Sequence, residues 1–182
     1  MPVNAPNNNL DMLAPPFNLI NIDDKFISLE KAKGNHGTVI VFICNHCPYV
    51  KAIASRLKKE ADELLKNSIN TIAIMSNDTS KYPDDSFENM KIFANKYKFN
   101  FPYLYDETQE VAQKYNAVCT PDFFGFDKNL KLKYRGRLDS GTMNSDKEKI
   151  NRELYNAMIK IKNLGEGPIE QNNSIGCSIK WK

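Results

Sequence analysis

Cys44 and Cys47, separated by Asn45 and His46, are the residues in this chain most able to do chemistry. A Cys-x-x-Cys spacing supports either thiol–disulfide exchange or metal ligation. Pro48 follows at once, and proline is favoured at the first helical position, where its missing N–H would have had no intrahelical partner. Cys47 therefore reads as a helix N-cap. At that position the unpaired N–H groups and the positive end of the helix dipole stabilise thiolate over thiol and bring a pKa of about 8.5 toward neutrality. His46, if protonated, would add to the effect. Cys47 is thus the candidate nucleophile and Cys44 its candidate partner. The competing reading is an inert buried thiol at an ordinary strand-to-helix turn.

The elements that must position these cysteines are legible on both sides. Residues 38–43 form a continuous apolar, β-branched run of the kind a strand covered on both faces requires. From Val50 the apolar residues recur at Ile53/Ala54, Leu57, Ala61 and Leu64/Leu65, the spacing of an amphipathic helix. Residues 69–75 read as a second buried strand, closing a right-handed βαβ unit. Ahead of it, residues 17–22 and 26–29 suggest a hairpin around an acidic turn.

Downstream, Asp85 with Glu88 offers a capping box for a helix starting near Ser86, and Asp106 with Gln109 another for one starting near Glu107. Residues 101–105, which include Pro102, read as an edge strand. Residues 122–126 and the alternating Leu130, Leu132 and Tyr134 suggest an antiparallel hairpin. Ser145 with Glu148 would cap a last helix starting near Asp146, which Gly165 ends. Residues 1–13 read as a polar arm and 165–182 as a tail without periodicity. His36 reads as a surface loop histidine, and Arg135 and Arg137 as solvated charges.

At 182 residues the chain reads as one domain. A hydrophobic content of 41%, a charged content of 26% and a net charge of +3 without a basic block do not indicate nucleic-acid binding. No secretory signal and no apolar stretch long enough to span a bilayer is visible, so the expectation is a cytoplasmic protein without a membrane partner. In that compartment four cysteines are mostly reduced, which favours a catalytic or metal-binding Cys-x-x-Cys over a static staple.

Taken together, the order of elements resembles the thioredoxin fold: a strand, a Cys-x-x-Cys at a helix N-terminus, a parallel strand, a helix, Thr120-Pro121 before an antiparallel hairpin, and a final helix. The opening APPFNLINIDDKFISLEKAKG is similar to the entry of peroxiredoxins and related redoxins, and CNHCPYV, TPDFFGFD, YRGRLD and the terminal GCSIKWK extend that likeness along the chain. The resemblance is to the redoxin or alkyl hydroperoxide reductase–thiol-specific antioxidant type. It implies an α/β fold with a central mixed sheet flanked by helices and an N-terminal hairpin extension. Counted from the strand residue Phe42, Cys47 falls on the thioredoxin nucleophile position and Val50 on the resolving position. The PxxxTxxC pattern of peroxiredoxins is absent around either cysteine.

Thr120-Pro121 resembles the cis-proline element that faces the active-site cysteine, which would let the Thr120 backbone pair with an extended substrate and bring Cys119 near the site. Cys119 is either a resolving cysteine or a core thiol. Cys177 is either a resolving cysteine delivered by a mobile tail or a free thiol on an anchored one.

The leading expectation is a thiol–disulfide oxidoreductase without cofactor, in which the Cys47 thiolate attacks a small-molecule or protein disulfide and Cys44, Cys119 or Cys177, or an external thiol, resolves the intermediate. Thioredoxin- or glutathione-type molecules would be its reductants. A weak thiol peroxidase passing through a Cys47 sulfenic acid is one alternative. Others are a zinc or copper module built on Cys44, His46, Cys47 and Cys119, or a binding domain without catalysis. Metal is disfavoured because alternate residues near a strand end point apart.

Overall fold

The computed structural model describes residues 2–6, 10–141 and 150–182. In chain order it runs through β1 (Pro2–Asn4), β2 (Asn18–Asn21), β3 (Phe26–Ser28), α1 (Leu29–Ala32), β4 (Gly37–Phe42), α2 (Pro48–Leu65) and β5 (Ile69–Met75). A 3-10 turn at Pro83–Asp85 leads into α3 (Phe87–Lys96), followed by β6 (Tyr103–Tyr105), α4 (Glu110–Lys114), β7 (Cys119–Thr120) and β8 (Asp122–Phe126). The chain ends with β9 (Leu132–Gly136), α5 (Glu153–Leu164) and β10 (Ile175–Ser178).

Seven strands form one mixed sheet in the order β3-β2-β6-β5-β4-β8-β9, with β4, β5 and β6 mutually parallel and β8 antiparallel to β4. All six residues of β4 are buried, which is why its sequence does not alternate. Val39 and Val41 face a core shared with α2, α3 and α5, whereas Ile40 and Phe42 face a second core with Leu29, Ala112, Tyr115 and Ile179. Sandwiching β4 in this way fixes where it ends, and its end fixes the start of α2.

Several expectations change. The strand after Pro102 is not at an edge: β6 lies between β2 and β5. The proline is tolerated because it precedes the strand, where only its carbonyl is used, accepting from the Ala73 N–H. Helix α4 starts at Glu110, not near Glu107. Asp106 accepts from the Val111 and Ala112 amides, while Gln109 turns its side chain to the Ser76 and Lys180 carbonyls instead of closing a box. The expected cap at Ser145 and Glu148 lies outside the described residues, and the helix carrying Leu154, Met158 and Ile161 starts at Glu153. Arg135 is 3% exposed and bonded to Asp122 and the Asn116 carbonyl, so it is no solvated charge; Arg137 pairs with Glu153.

The largest departure is at the two ends of the chain, which were expected to be irregular. Strand β10 is the middle member of a second sheet, ordered β1-β10-β7 and antiparallel throughout. Beyond it, the Ile179 N–H donates to Val118 O and the Lys180 N–H to Asn77 Oδ1, while Lys180 O accepts from the Asp78 amide. The tail is therefore anchored. Gly176 permits the anchoring, because a Cβ there would stand 1.9 Å from the Thr120 carbonyl oxygen. A Gly176→Ala substitution is expected to cost about 1–3 kcal/mol through this overlap. Chemical denaturation would show the loss, and limited proteolysis would show faster cleavage within residues 166–182; unchanged values in both would separate β10 from the stability of the fold.

Candidate active site

Helix α2 begins at Pro48 and Cys47 is its N-cap residue, in extended conformation (φ −63°, ψ 122°). No side-chain capping bond is formed, yet the Val50 backbone amide is among the groups favouring the Cys47 thiolate. The preceding bend at Asn45 and His46 is held from outside. Asp85, fully buried, accepts from the Asn45 N–H (2.8 Å) and His46 N–H (3.2 Å) through Oδ1. Its Oδ2 lies 2.6 Å from His46 Nδ1 and accepts from Asn77 Nδ2 at 2.8 Å. The Tyr103 hydroxyl donates to Asn45 Oδ1, and the His46 ring stacks on Tyr82. Asn45 has no positive φ, so the bend is made without the left-handed conformation that asparagine would have tolerated.

Asp85 is the residue that sequence reasoning assigned elsewhere. The cap of α3 is Ser86, whose hydroxyl accepts from the Asn89 N–H, and Asp85 is thereby free to turn toward the cysteine bend. The paired acids Asp84-Asp85 were the only signal, and a capping box explained them equally well.

The Thr120–Pro121 peptide bond is cis. Thr120 meets both front cysteines: its Oγ1 is 3.3 Å from Cys44 Sγ and its carbonyl oxygen 3.3 Å from Cys47 Sγ. Strand β10 pairs Cys177 with Thr120 and Ser178 with Cys119, which brings Cys177 Sγ to 3.0 Å from Cys47 Sγ. Cys119 turns the other way, toward the Pro121 carbonyl, 3.9 Å from its sulfur. Val50, at the position a second thioredoxin cysteine would occupy, packs in the core. All four thiols are free.

Cys47 is fully buried, contrary to the partial exposure expected of a helix N-terminus, because β10 and Cys177 lie over it. Its thiol is nevertheless pulled down to about 5, chiefly by a hydrogen bond from the Cys44 thiol, with burial opposing and a bond from Cys177 assisting. Cys44 is pushed strongly upward by the same bond, by burial and by the nearby Asp85 charge. Burial and the bond to Cys47 raise Cys177 to about 11, and burial raises Cys119 to about 12. These directions favour ionisation at Cys47 over the other three thiols.

Cys44, His46 and Asp85 bring one ligand atom each within 4.8 Å of one another. This differs from the set Cys44, His46, Cys47 and Cys119, and both oxygens of Asp85 are already engaged by N–H groups and the His46 ring. A cavity of about 450 Å³ is lined by Tyr49, Ile53, Pro121, Leu138 and Ile175 among others; it includes chain neighbours of Cys47, Thr120 and Cys177 but none of the four cysteines.

The family model described as the AhpC/TSA family matches residues 11–135. The chain belongs to the AhpC/TSA family. Over its whole length it is similar to an uncharacterized conserved protein from Geobacillus kaustophilus, with 44% identity, coverage of 100% of this chain and 97% of that one, and a TM-score of 0.94. The thioredoxin domain of a thiol-disulfide oxidoreductase from Bacteroides vulgatus aligns with 71% of this chain and 89% of its own at a TM-score of 0.60 and 17% identity, which shows a shared thioredoxin-like fold. A curated relative, chloroplastic peroxiredoxin Q of Sedum lineare, is 28% identical over 111 residues, 61% of this chain and 54% of that protein. The chain thus spans about half the length of this curated relative.

Two substitutions test this geometry. Thiolate absorbance of the wild type is expected to titrate near pH 5, and Cys44→Ala to move that transition upward by at least about one unit, since it removes the main donor. An unmoved transition would assign the effect to the helix terminus alone. Asp85→Ala leaves buried N–H groups of the cysteine bend without their acceptor and is expected to cost about 2–4 kcal/mol in denaturant unfolding.

Proposed function

We propose that this AhpC/TSA-family chain is a thiol-dependent oxidoreductase in which Cys47 is the nucleophile and Cys177 the resolving cysteine. The observation that carries the reading is the 3.0 Å separation of their sulfurs across the β10–β7 pairing. A disulfide bond is about 2.05 Å long, so the partners need approach by only about an ångström. Cys44 then acts as a thiol donor to the nucleophile, not as its disulfide partner.

With a disulfide substrate RSSR, the Cys47 thiolate attacks one sulfur, forms a Cys47–S–S–R bond and expels RS⁻. Cys177 loses its proton to the leaving thiolate and attacks Cys47 Sγ, giving the Cys47–Cys177 disulfide and a second RS⁻. The substrate is reduced by two electrons and the protein oxidised by two. Access requires the Cys177 side chain to swing off Cys47, and a rotation about χ1 between staggered wells is the smallest movement that does so.

Substrate size follows from the same strand. The Thr120 backbone, which an extended peptide disulfide would pair with, is occupied by β10. Small molecules approaching along the apolar cavity walled by Tyr49, Pro121 and Ile175 fit the arrangement better than protein disulfides do. A reducing compartment such as the cytoplasm belongs to this reading, because the cycle starts from free thiols.

Oxidation of the protein with a small disulfide, followed by alkylation and peptide mapping, tests the assignment. The expected product is a Cys47–Cys177 bridge, lost in Cys177→Ser and retained in Cys44→Ser. A Cys44–Cys47 bridge as the main product would overturn it. Peroxide treatment of Cys177→Ser separates the peroxidase alternative, which predicts a Cys47 sulfenic acid at a rate matching turnover.

A further inference from the structure

We infer that electrons return to the oxidised site at Cys177, and that their donor is a low-molecular-weight thiol instead of a protein dithiol. The inference rests on the reading that Cys47 and Cys177 form the catalytic disulfide, and extends it to the reducing partner and the sulfur that partner attacks.

Exposure separates the two sulfurs. Cys44, Cys47 and Cys119 are fully buried, and Cys177 alone of the four cysteines is partly exposed. An incoming thiolate therefore meets Cys177 first. The leaving group gives the same direction: attack on Cys177 expels Cys47, whose thiolate is held by the Cys44 thiol and the start of α2, and exchange is faster when the departing thiol is the more acidic one. Attack on Cys47 would instead expel Cys177, which lacks that support.

The strand environment limits what can deliver the thiol. A protein partner that docks by strand addition needs an open backbone edge beside the sulfur it attacks. Cys177 sits on the central strand of the β1-β10-β7 sheet, with Pro2 opposite it on one side and Thr120 on the other. Neither edge of β10 is open along these residues. A compact thiol needs no edge, and the ammonium of Lys180, whose charge acts on Cys177 and which bonds to Ser178 Oγ, favours an anionic attacking species.

A donor thiolate R′S⁻, distinct from the substrate thiol, attacks Cys177 Sγ, breaking the Cys47–Cys177 bond, forming Cys177–S–S–R′ and releasing Cys47 as thiolate. A second R′S⁻ attacks the R′ sulfur, releasing R′SSR′ and a Cys177 thiolate that takes up a proton. Two thiols are oxidised to one disulfide while the protein gains two electrons.

Two measurements on the full-length oxidised protein test this. Brief exposure to glutathione, quenched in acid and mapped by mass spectrometry, is expected to give the glutathione adduct on the Cys177 peptide, with Cys47 free to alkylate afterwards. An adduct on Cys47 overturns the inference. Reduction rates with dithiothreitol and with thioredoxin, compared at equal thiolate concentration, are expected to differ by less than tenfold. A thioredoxin advantage of tenfold or more overturns the small-thiol donor. If no Cys47–Cys177 bridge forms on oxidation, the proposed function itself fails, an outcome visible before either reductant is added.

Discussion

Cys119 and Thr120 offer a two-residue backbone edge just ahead of the cis proline, and the C-terminal strand hangs on it. The placing of Cys177 over Cys47, the burial of Cys47 and the closure of the substrate edge all follow from that pairing. Two ladder positions alone would be weak, since a net hydrogen bond is worth about 0.5–1.5 kcal/mol. The pairing persists because its flanks are tied down. Ser174 accepts from the Ala5 amide on one side, Asn77 and Gln109 hold Lys180 and Lys182 on the other, and Ile179 sits in the second core. The ends of the chain thus form a cover over the thiols whose register is fixed to within one side chain.

Under the cover, charge is arranged by one buried carboxylate. Asp85 satisfies the amides of the cysteine bend and fixes where Cys44 and Cys47 point, and its charge opposes ionisation of Cys44. A Cys44 held as thiol is a donor, and a donor beside Cys47 favours the Cys47 thiolate. The Thr120 carbonyl oxygen, itself an acceptor, works against that thiolate at 3.3 Å. Among the groups that favour the Cys47 thiolate, the Cys44 and Cys177 thiols rank ahead of the Val50 amide at the helix end that first singled Cys47 out.

How much of this was readable beforehand depended on whether the signal was local. The apolar run of β4, the proline after Cys47 and the 3.6-residue spacing of α2 each encode their element within a few residues, and the βαβ core and the N-cap position of Cys47 were legible from them. The pairing of β10 was not, because Asn-rich and Gly-containing ends have no apolar period and their partners lie far away along the chain, Thr120 for the Cys177 backbone and Cys47 for its sulfur. Asp85 and Arg135 were misread for a related reason. A charged residue is exposed by default, and only the fold supplies the buried amides that Asp85 satisfies or the Asp122 that Arg135 pairs with.

Cys44 and Cys177 both flank Cys47, and the proposal that Cys177 is the resolving partner is clearest when the charge on Cys47 is removed. In the reduced state both thiols are kept protonated partly because they donate to the Cys47 thiolate. Once Cys47 carries a substrate sulfur it is neutral, and that contribution disappears for both. What remains differs. Cys177 keeps the cost of its partial burial, with the Lys180 charge acting to lower it. Cys44 is still fully buried and still faces Asp85, which raises it. Since only a thiolate attacks a disulfide, the proposed cycle favours Cys177, partly exposed and near Lys180, over the buried Cys44 as the resolving thiol.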